Sequence, residues 1–198
     1  MFLILCGKSG SGKDTIARHL EDNGFKTLVS TTTRPMREGE IEGVDYNFTT
    51  KEKFFKLIED NLLIEHREYR VVTPEGNDIW YYGLPKQSVT WDANYVVVLD
   101  LKGTSEFMKF YGRDHCFVCY IDVDEKLREE RAKKRGSFDK AEWDRRVVAD
   151  EKDFAPEIRD NLVDVTVENT GKVEKTVDLI RRRYTKHWER LYKQYVES

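Results

Sequence analysis

The stretch that most limits what this chain can fold into is FLILCGKSGSGKDTI, residues 2–16. A short apolar run, Phe2 to Cys6, leads into Gly7-Lys8-Ser9-Gly10-Ser11-Gly12-Lys13, which has the spacing G-x-x-x-x-G-K, and a helix-like segment follows. Strand, glycine-rich loop and helix in that order are the setting in which this spacing makes a phosphate cradle. The loop must curl so that backbone N–H groups along Gly7, Ser9, Gly10, Ser11 and Gly12 turn inward onto phosphate oxygens, and bulky side chains would obstruct that concavity. The start of the helix adds partial positive charge. Lys13 then reaches the β and γ phosphates of a nucleoside triphosphate and offsets charge as the terminal phosphoryl group moves. Asp14 is irregular, because the residue after the lysine usually carries a hydroxyl that ligates Mg²⁺. A carboxylate there can ligate the ion through water, and Thr15 offers a hydroxyl one place later.

The rest of the chain supplies a scaffold for that loop. FLILC, KTLVST, YVVVLDL, CFVCYIDV and VDVTVEN are β-rich, and all but one are near-continuous in apolar residues, as expected of strands covered on both faces of a parallel sheet. Helix-like segments at Asp14 to Asn23, Thr104 to Tyr111, Glu125 to Lys134 and from Lys172 onward separate most of them. The alternation predicts a doubly wound α/β fold, with a parallel five-stranded sheet and helices on both faces. With 198 residues, 39% of them hydrophobic, there is material for one sizeable core. The expected organisation is therefore one domain: a core of residues 1–31, 87–132 and 147–198, an inserted subdomain at 32–86, and a charged, mobile lid at 133–146.

Charge and cysteine content narrow the partners. The 34 basic and 37 acidic residues nearly cancel, so neither nucleic acid nor a membrane surface is expected as a partner, and any anion site must be local. The opening apolar run lacks a basic leader, and no run approaches the about 20 apolar residues of a membrane span. A cytoplasmic protein is expected, with its three cysteines reduced; Cys116 and Cys119 read as small buried residues rather than half a metal site. In the last helix Val173, Val177, Ile180, Tyr184, Trp188, Leu191 and Tyr195 recur at helical spacing. Core packing explains them better than a dimer contact, and monomer and homodimer both stay open.

The stretch VSTTTRPMREGEIEGVDYNF, residues 29–48, sets two arginines three apart beside hydroxyls, an arrangement suited to a second phosphate. Here the chain resembles the guanylate kinases, whose members carry a serine and then T-T-R-x-x-R-x-G-E-x-x-G-x-D-Y-x-F. Every fixed position is present, and the resemblance continues along almost the whole chain. It implies the P-loop nucleoside monophosphate kinase fold, ATP as donor, Mg²⁺ as cofactor and GMP or dGMP as acceptor. Carried over residue by residue, it assigns Arg34, Arg37, Tyr46 and Tyr82 to the acceptor phosphate, with Ser30 facing the base. It makes Glu65, in LLIEH, the guanine reader, since an ionised carboxylate accepts from both N1–H and N2–H. It places Gly83 and Asp100 at the acceptor site, Asp100 also near magnesium with Asp14 and Thr15. Arg131, Arg135 and Gly136 match the lid entry, Arg146 the arginine on the returning helix, and Asn169 a position beside the donor adenine. Lys13, Arg34, Arg131, Arg135 and Arg146 are then the catalytic cations, acting on the transferred group while the lid excludes water.

Three features depart from the pattern. The segment between Glu65 and Tyr82 is about six residues longer than usual, and Pro74-Glu75-Gly76-Asn77 reads as the turn of a lengthened hairpin. After Tyr82-Gly83 the chain has Leu84 where the family has Ser or Thr, so one base contact is missing. Val98 stands where a second acid is often found. These leave two alternatives beside a GMP kinase: a kinase for another nucleoside monophosphate or a ribose bisphosphate, and a non-catalytic binding module.

Overall fold

The computed structural model describes residues 1–73, 76–134, 136 and 138–196, all but Tyr195 with side chains. Among the described residues, five parallel strands form the main sheet: β1 (Phe2–Cys6), β2 (Lys26–Thr27), β7 (Tyr95–Val98), β8 (Cys116–Asp122) and β9 (Val165–Glu168), in the order β2-β7-β1-β8-β9. Central β1 is buried along its whole length, which is why FLILC does not alternate.

The sheet's two faces carry separate cores. Ile4, Val97, Val118 and Tyr120 face Phe107 and Met108 of α3 (Leu101–Tyr111), and Phe154 lies in the same layer. Leu3, Leu5, Val96 and Ile121 face Ile16 and Leu20 of α1 (Lys13–Glu21), together with Val177, Ile180 and Tyr184 of α7 (Val173–Val196). Helices therefore cover both faces, as the alternation of elements predicts. Cys116 and Cys119, three apart on β8, fall into opposite cores, and both are free thiols. Burial pushes the Cys116 and Cys6 thiols up to about 12, which keeps them protonated and unreactive. The last helix uses its first half for this packing; Tyr192 and Val196, near its end, are exposed.

A second sheet rises from the C-terminal end of the first, in the order β4-β3-β6-β5, from β3 (Thr31–Thr32), β4 (Asn47–Phe48), β5 (Leu63–Thr73) and β6 (Gly76–Pro85). KTLVST is thus shared between the two sheets instead of forming one strand: Lys26 and Thr27 pair with β7, Thr31 and Thr32 with β4 and β6. Helix α2 (Lys51–Glu59), capped by Thr50, places Phe54 beneath this sheet. A Cβ at Gly83 would lie 2.8 Å from Leu63 and 3.1 Å from the Phe54 ring, so this close approach needs glycine.

β5 and β6 pair continuously from Glu65↔Leu84 out to Thr73↔Gly76, which makes the long segment a hairpin; Pro74 and Glu75 lie outside the described residues. Helices α4 (Glu125–Lys134), α5 (Lys140–Asp153) and α6 (Pro156–Leu162) complete the chain. Residues 140–146 form the first two turns of α5, started by the Asp139 side chain accepting from the Glu142 N–H at 2.8 Å.

Candidate active site

The loop between β1 and α1 curls as its spacing demands. Gly7, Gly10 and Gly12 have φ of 147°, 80° and 92°, values that L side chains rarely adopt. At all three space is also lacking: a Cβ would fall 2.5 Å from the Ile121 carbonyl at Gly7, 2.8 Å from the Arg128 carbonyl at Gly10 and 2.7 Å from the Asn169 amide nitrogen at Gly12. The Lys13 Nζ donates to the carbonyls of Gly7 at 2.7 Å and Lys8 at 3.2 Å, which folds the side chain back over the loop.

Side chains not singled out in the sequence hold this loop from outside. Arg128, 2% exposed, donates to the Ser9 carbonyl at 3.1 Å and lies 3.4 Å from the Asp150 carboxylate. Asp150 in turn accepts from the Ser9 backbone N–H at 2.7 Å and the Ser9 hydroxyl at 3.2 Å. Burial pushes the Asp150 carboxyl above the usual range, against the Ser9 N–H, Lys13 and Arg128. The only hints in the sequence were spacing: Arg128 is three before Arg131 on α4, and Asp150 four after Arg146 on α5. Arg131 donates to the carbonyls of Ser11 at 3.2 Å and Asn169 at 2.6 Å. Buried Asn169 donates its amide to the Ser11 carbonyl at 2.9 Å and accepts from the Thr176 hydroxyl at 3.1 Å. These two predicted residues meet the back of the loop through Ser11.

The acceptor stretch divides its two arginines between different tasks. Arg34, 3% exposed, forks onto Glu40 with bonds of 2.7 and 2.9 Å and lies 5.4 and 5.5 Å from the Tyr46 and Phe48 ring centres. Glu40, the acid of the Gly-Glu pair, also accepts from the Arg37 N–H at 2.7 Å, so the Arg34–Glu40 pair shapes the turn that presents Arg37. Arg37 faces the cavities. Burial, then the charges of Arg34 and Arg146, lower its pKa. The positive charge that repels Arg37 comes from Arg146 in the cavity wall and Arg34 behind it, a setting that an anion stabilises. The Tyr46 ring meets Tyr82 edge-on at 5.8 Å, and burial with the nearby Asp14 carboxylate raises its hydroxyl pKa.

Two cavities open between the sheets, of about 510 and 260 Å³. They share Asp14, Ser30, Arg37, Tyr46 and Val98. The smaller is lined at one end by Gly7, Ser9, Gly10 and Lys13, and at the other by Glu65, Arg67, Tyr69, Tyr82 and Asp100. Arg145, Arg146 and Asp150 of α5 line it as well. Thr15 lines only the larger, where the Arg18–Asp45 ion pair ties α1 to the acceptor turn. Ser11, Gly12, Arg34, Gly83, Arg131 and Asn169 line neither cavity, and Arg135 lies outside the described residues.

Glu65 sits at the bottom of the smaller cavity, 6% exposed. Burial pushes its carboxyl up to about 7, with Arg67 the main opposing influence and Asp100 and Glu106 reinforcing the rise. Asp100 caps α3 by accepting from the Gly103 N–H at 2.5 Å, and its other oxygen accepts from the Tyr69 hydroxyl at 2.8 Å. Leu84, fully buried, belongs to the apolar core and lines neither cavity. The irregular register between Leu63 and Glu65 accompanies that placement.

The lengthened hairpin does more than extend the sheet. Tyr69, Val71 and Trp80 line the cavity, and the Val72 N–H donates to Glu142 of α5 at 3.0 Å. Glu142 also binds Arg145 at 2.8 and 2.9 Å and Arg146 at 2.7 Å. Although burial opposes it, these bonds hold the Glu142 carboxyl down to about 2.

Comparison with known proteins agrees with this geometry. The guanylate kinase family model matches residues 1–182. The chain belongs to the guanylate kinase family. Among solved structures it is similar to a guanylate kinase from Anaplasma phagocytophilum, at 26% identity and a TM-score of 0.64, over 92% of this chain and 85% of that one. A gluconokinase from Sinorhizobium meliloti, 16% identical with a TM-score of 0.54, covers 97% of this chain and 95% of its own, and shares the fold. Membership makes this an enzyme of phosphoryl transfer with nucleotide substrates. No helix among the described residues is long and apolar enough to cross a membrane.

Proposed function

We propose that the chain moves the γ-phosphoryl group of ATP onto the phosphate of GMP or dGMP. One observation carries this reading: a single cavity is lined by the phosphate loop and Lys13, by the cations Arg37 and Arg146, and by the buried acid Glu65. Donor phosphates, acceptor phosphate and acceptor base each have a complementary wall.

No protein nucleophile is required, because an acceptor phosphate oxygen attacks the γ-phosphorus and the ADP oxygen leaves in line. The protein supplies position and charge. Lys13 and the loop N–H groups take the donor. Arg37, Tyr46 and Tyr82 grip the acceptor phosphate, with Arg34 behind them through Glu40. Ser30 and Glu65 take the base. Arg146 acts on the transferred group from the cavity wall, Arg131 and Arg135 are the further cations that the family pattern assigns to that group, and residues 133–146 act as the lid for the 32–86 insertion. Asn169 supports the loop from the side assigned to the donor adenine.

Magnesium suits the oxygen donors present. Asp14 is exposed where the two cavities meet, and carboxylate, hydroxyl and phosphate oxygens are the ligands a hard cation prefers. Asp14 and Thr15 would hold it with the donor phosphates, and it would neutralise charge on them. Asp100, already engaged by Gly103 and Tyr69, would act from the acceptor side.

A coupled ADP-release assay over a panel of nucleoside monophosphates tests the reading. GMP and dGMP should give the highest kcat/KM; higher values on TMP or CMP would overturn the acceptor assignment, and no turnover on any would overturn the activity.

A further inference from the structure

Arg67 is the one cation within 4 Å of Glu65 among the described residues, and three carboxylates converge on it. Its guanidinium lies 3.8 Å from Glu65, 3.5 Å from Asp100 and 3.2 Å from Glu106. These acids come from three places: β5, the cap of α3, and the second turn of α3. Glu65 also abuts that helix directly, since a Cβ at Gly103 would fall 3.1 Å from its Oε2. The other ionisable groups on the same wall are the hydroxyls of Tyr69 and Tyr82 and, from α5, Asp153, Arg145 and Arg146. Arg67 is 12% exposed along its side chain, and its Nε and Nη2 are buried with no hydrogen-bond partner. A guanidinium held this way, with donors left over, is placed for its charge.

That charge bears on what the pocket can read. With both oxygens unprotonated, Glu65 presents two acceptors, the complement of guanine N1–H and N2–H. If a proton joins it, the same group presents one donor and one acceptor, the complement of adenine N6–H and N1. Resting on the kinase reading above, we infer that Arg67 is a positioning residue for base choice: it favours the acceptor-only form of Glu65 and so biases the pocket to guanine over adenine. Without it, Glu65 would face the charges of Asp100 and Glu106 with no cation within 4 Å, and its own uptake of a proton would relieve the repulsion. The burial that pushes Glu65 up to about 7 leaves it poised for that change.

The test is steady-state kinetics of the full chain with GMP, IMP and AMP as acceptors, for the wild type, Arg67→Met, Arg67→Lys and Glu65→Gln. Arg67→Met should lower the GMP-to-AMP ratio of kcat/KM by about tenfold or more, mainly through KM for GMP, with KM for ATP unchanged. Arg67→Lys, which keeps the charge, should retain most of the preference, and IMP, which lacks the 2-amino group, should lose less than GMP. Adding Arg67→Met to Glu65→Gln should change the ratio little further, because the first acts through the second. Equal losses on all three acceptors, or a preserved GMP-to-AMP ratio, would overturn the inference. If Arg67→Met fails to fold, a ratio lowered in Arg67→Lys to the Glu65→Gln value would overturn it too. A wild type that ignores GMP but turns over another acceptor would instead refute the proposed function, so the two failures are distinguishable.

Discussion

Replacing Glu65 with glutamine should stabilise the protein in alkaline buffer while impairing it as an enzyme. The side chain is 6% exposed and its carboxyl is pushed up to about 7, against an ordinary value of 4.5. Below pH 4.5 both folded and unfolded chains hold the proton, and Glu65 contributes no pH dependence. From 4.5 to 7 the folded chain keeps a proton that the unfolded chain releases, so stability declines as pH rises; above 7 the full cost of a buried charge is present. At about 1.4 kcal/mol for each tenfold difference in proton affinity, that cost comes to about 3 to 4 kcal/mol, of which about 2 to 3 kcal/mol develops between pH 5 and 8. Glutamine has nearly the same shape and no charge to bury. In urea denaturation the stability of Glu65→Gln relative to wild type should therefore rise by that amount from pH 5 to pH 8. Any pH-independent effect on Arg67 cancels in the comparison. At pH 8 the same variant should lose about 100-fold in kcat/KM for GMP, because the amide offers guanine a donor where an acceptor is needed. A difference that stays flat within about 0.5 kcal/mol across this pH range would refute the burial argument.

Other parts of the site give further tests. Lys13→Ala should fold normally by circular dichroism yet lose at least about 100-fold in kcat, since its charge acts mainly on the moving phosphoryl group. Arg128→Met leaves Asp150 buried without its counter-ion and should cost about 3 kcal/mol or more in urea denaturation. Gly10→Ala forces both a φ of 80° and a 2.8 Å contact with the Arg128 carbonyl, and should raise KM for ATP about tenfold or more in the coupled assay. Arg37→Gln should raise KM for GMP by about tenfold or more while leaving KM for ATP near its wild-type value.

Much of this architecture was legible because its causes are local. FLILC and CFVCYID are continuous apolar runs since both of their faces are covered, and the loop glycines mark bends that side chains cannot make. Family resemblance added the acceptor residues, whose pattern is long and specific. What stayed hidden depends on pairing across the chain. The two-residue strands β2, β3 and β4 exist through their partners, so KTLVST read as one strand although two sheets share it. That Leu84 offers no hydroxyl was legible, but its place in the apolar core was not. The Ser9–Asp150 bond joins residues 141 apart, and Arg67 gains its setting from acids on β5 and α3; neither has a sequence signature.

The hydrogen bond from Val72 to Glu142 gives the long hairpin a mechanical meaning. It couples the wall that carries the acceptor pocket to the helix that carries Arg145 and Arg146, through a carboxylate that those arginines already share. On the proposed function, a shift of that wall as the acceptor base seats would be passed to α5 through Glu142, so the placing of Arg145 and Arg146 would depend on the acceptor as well as on the donor.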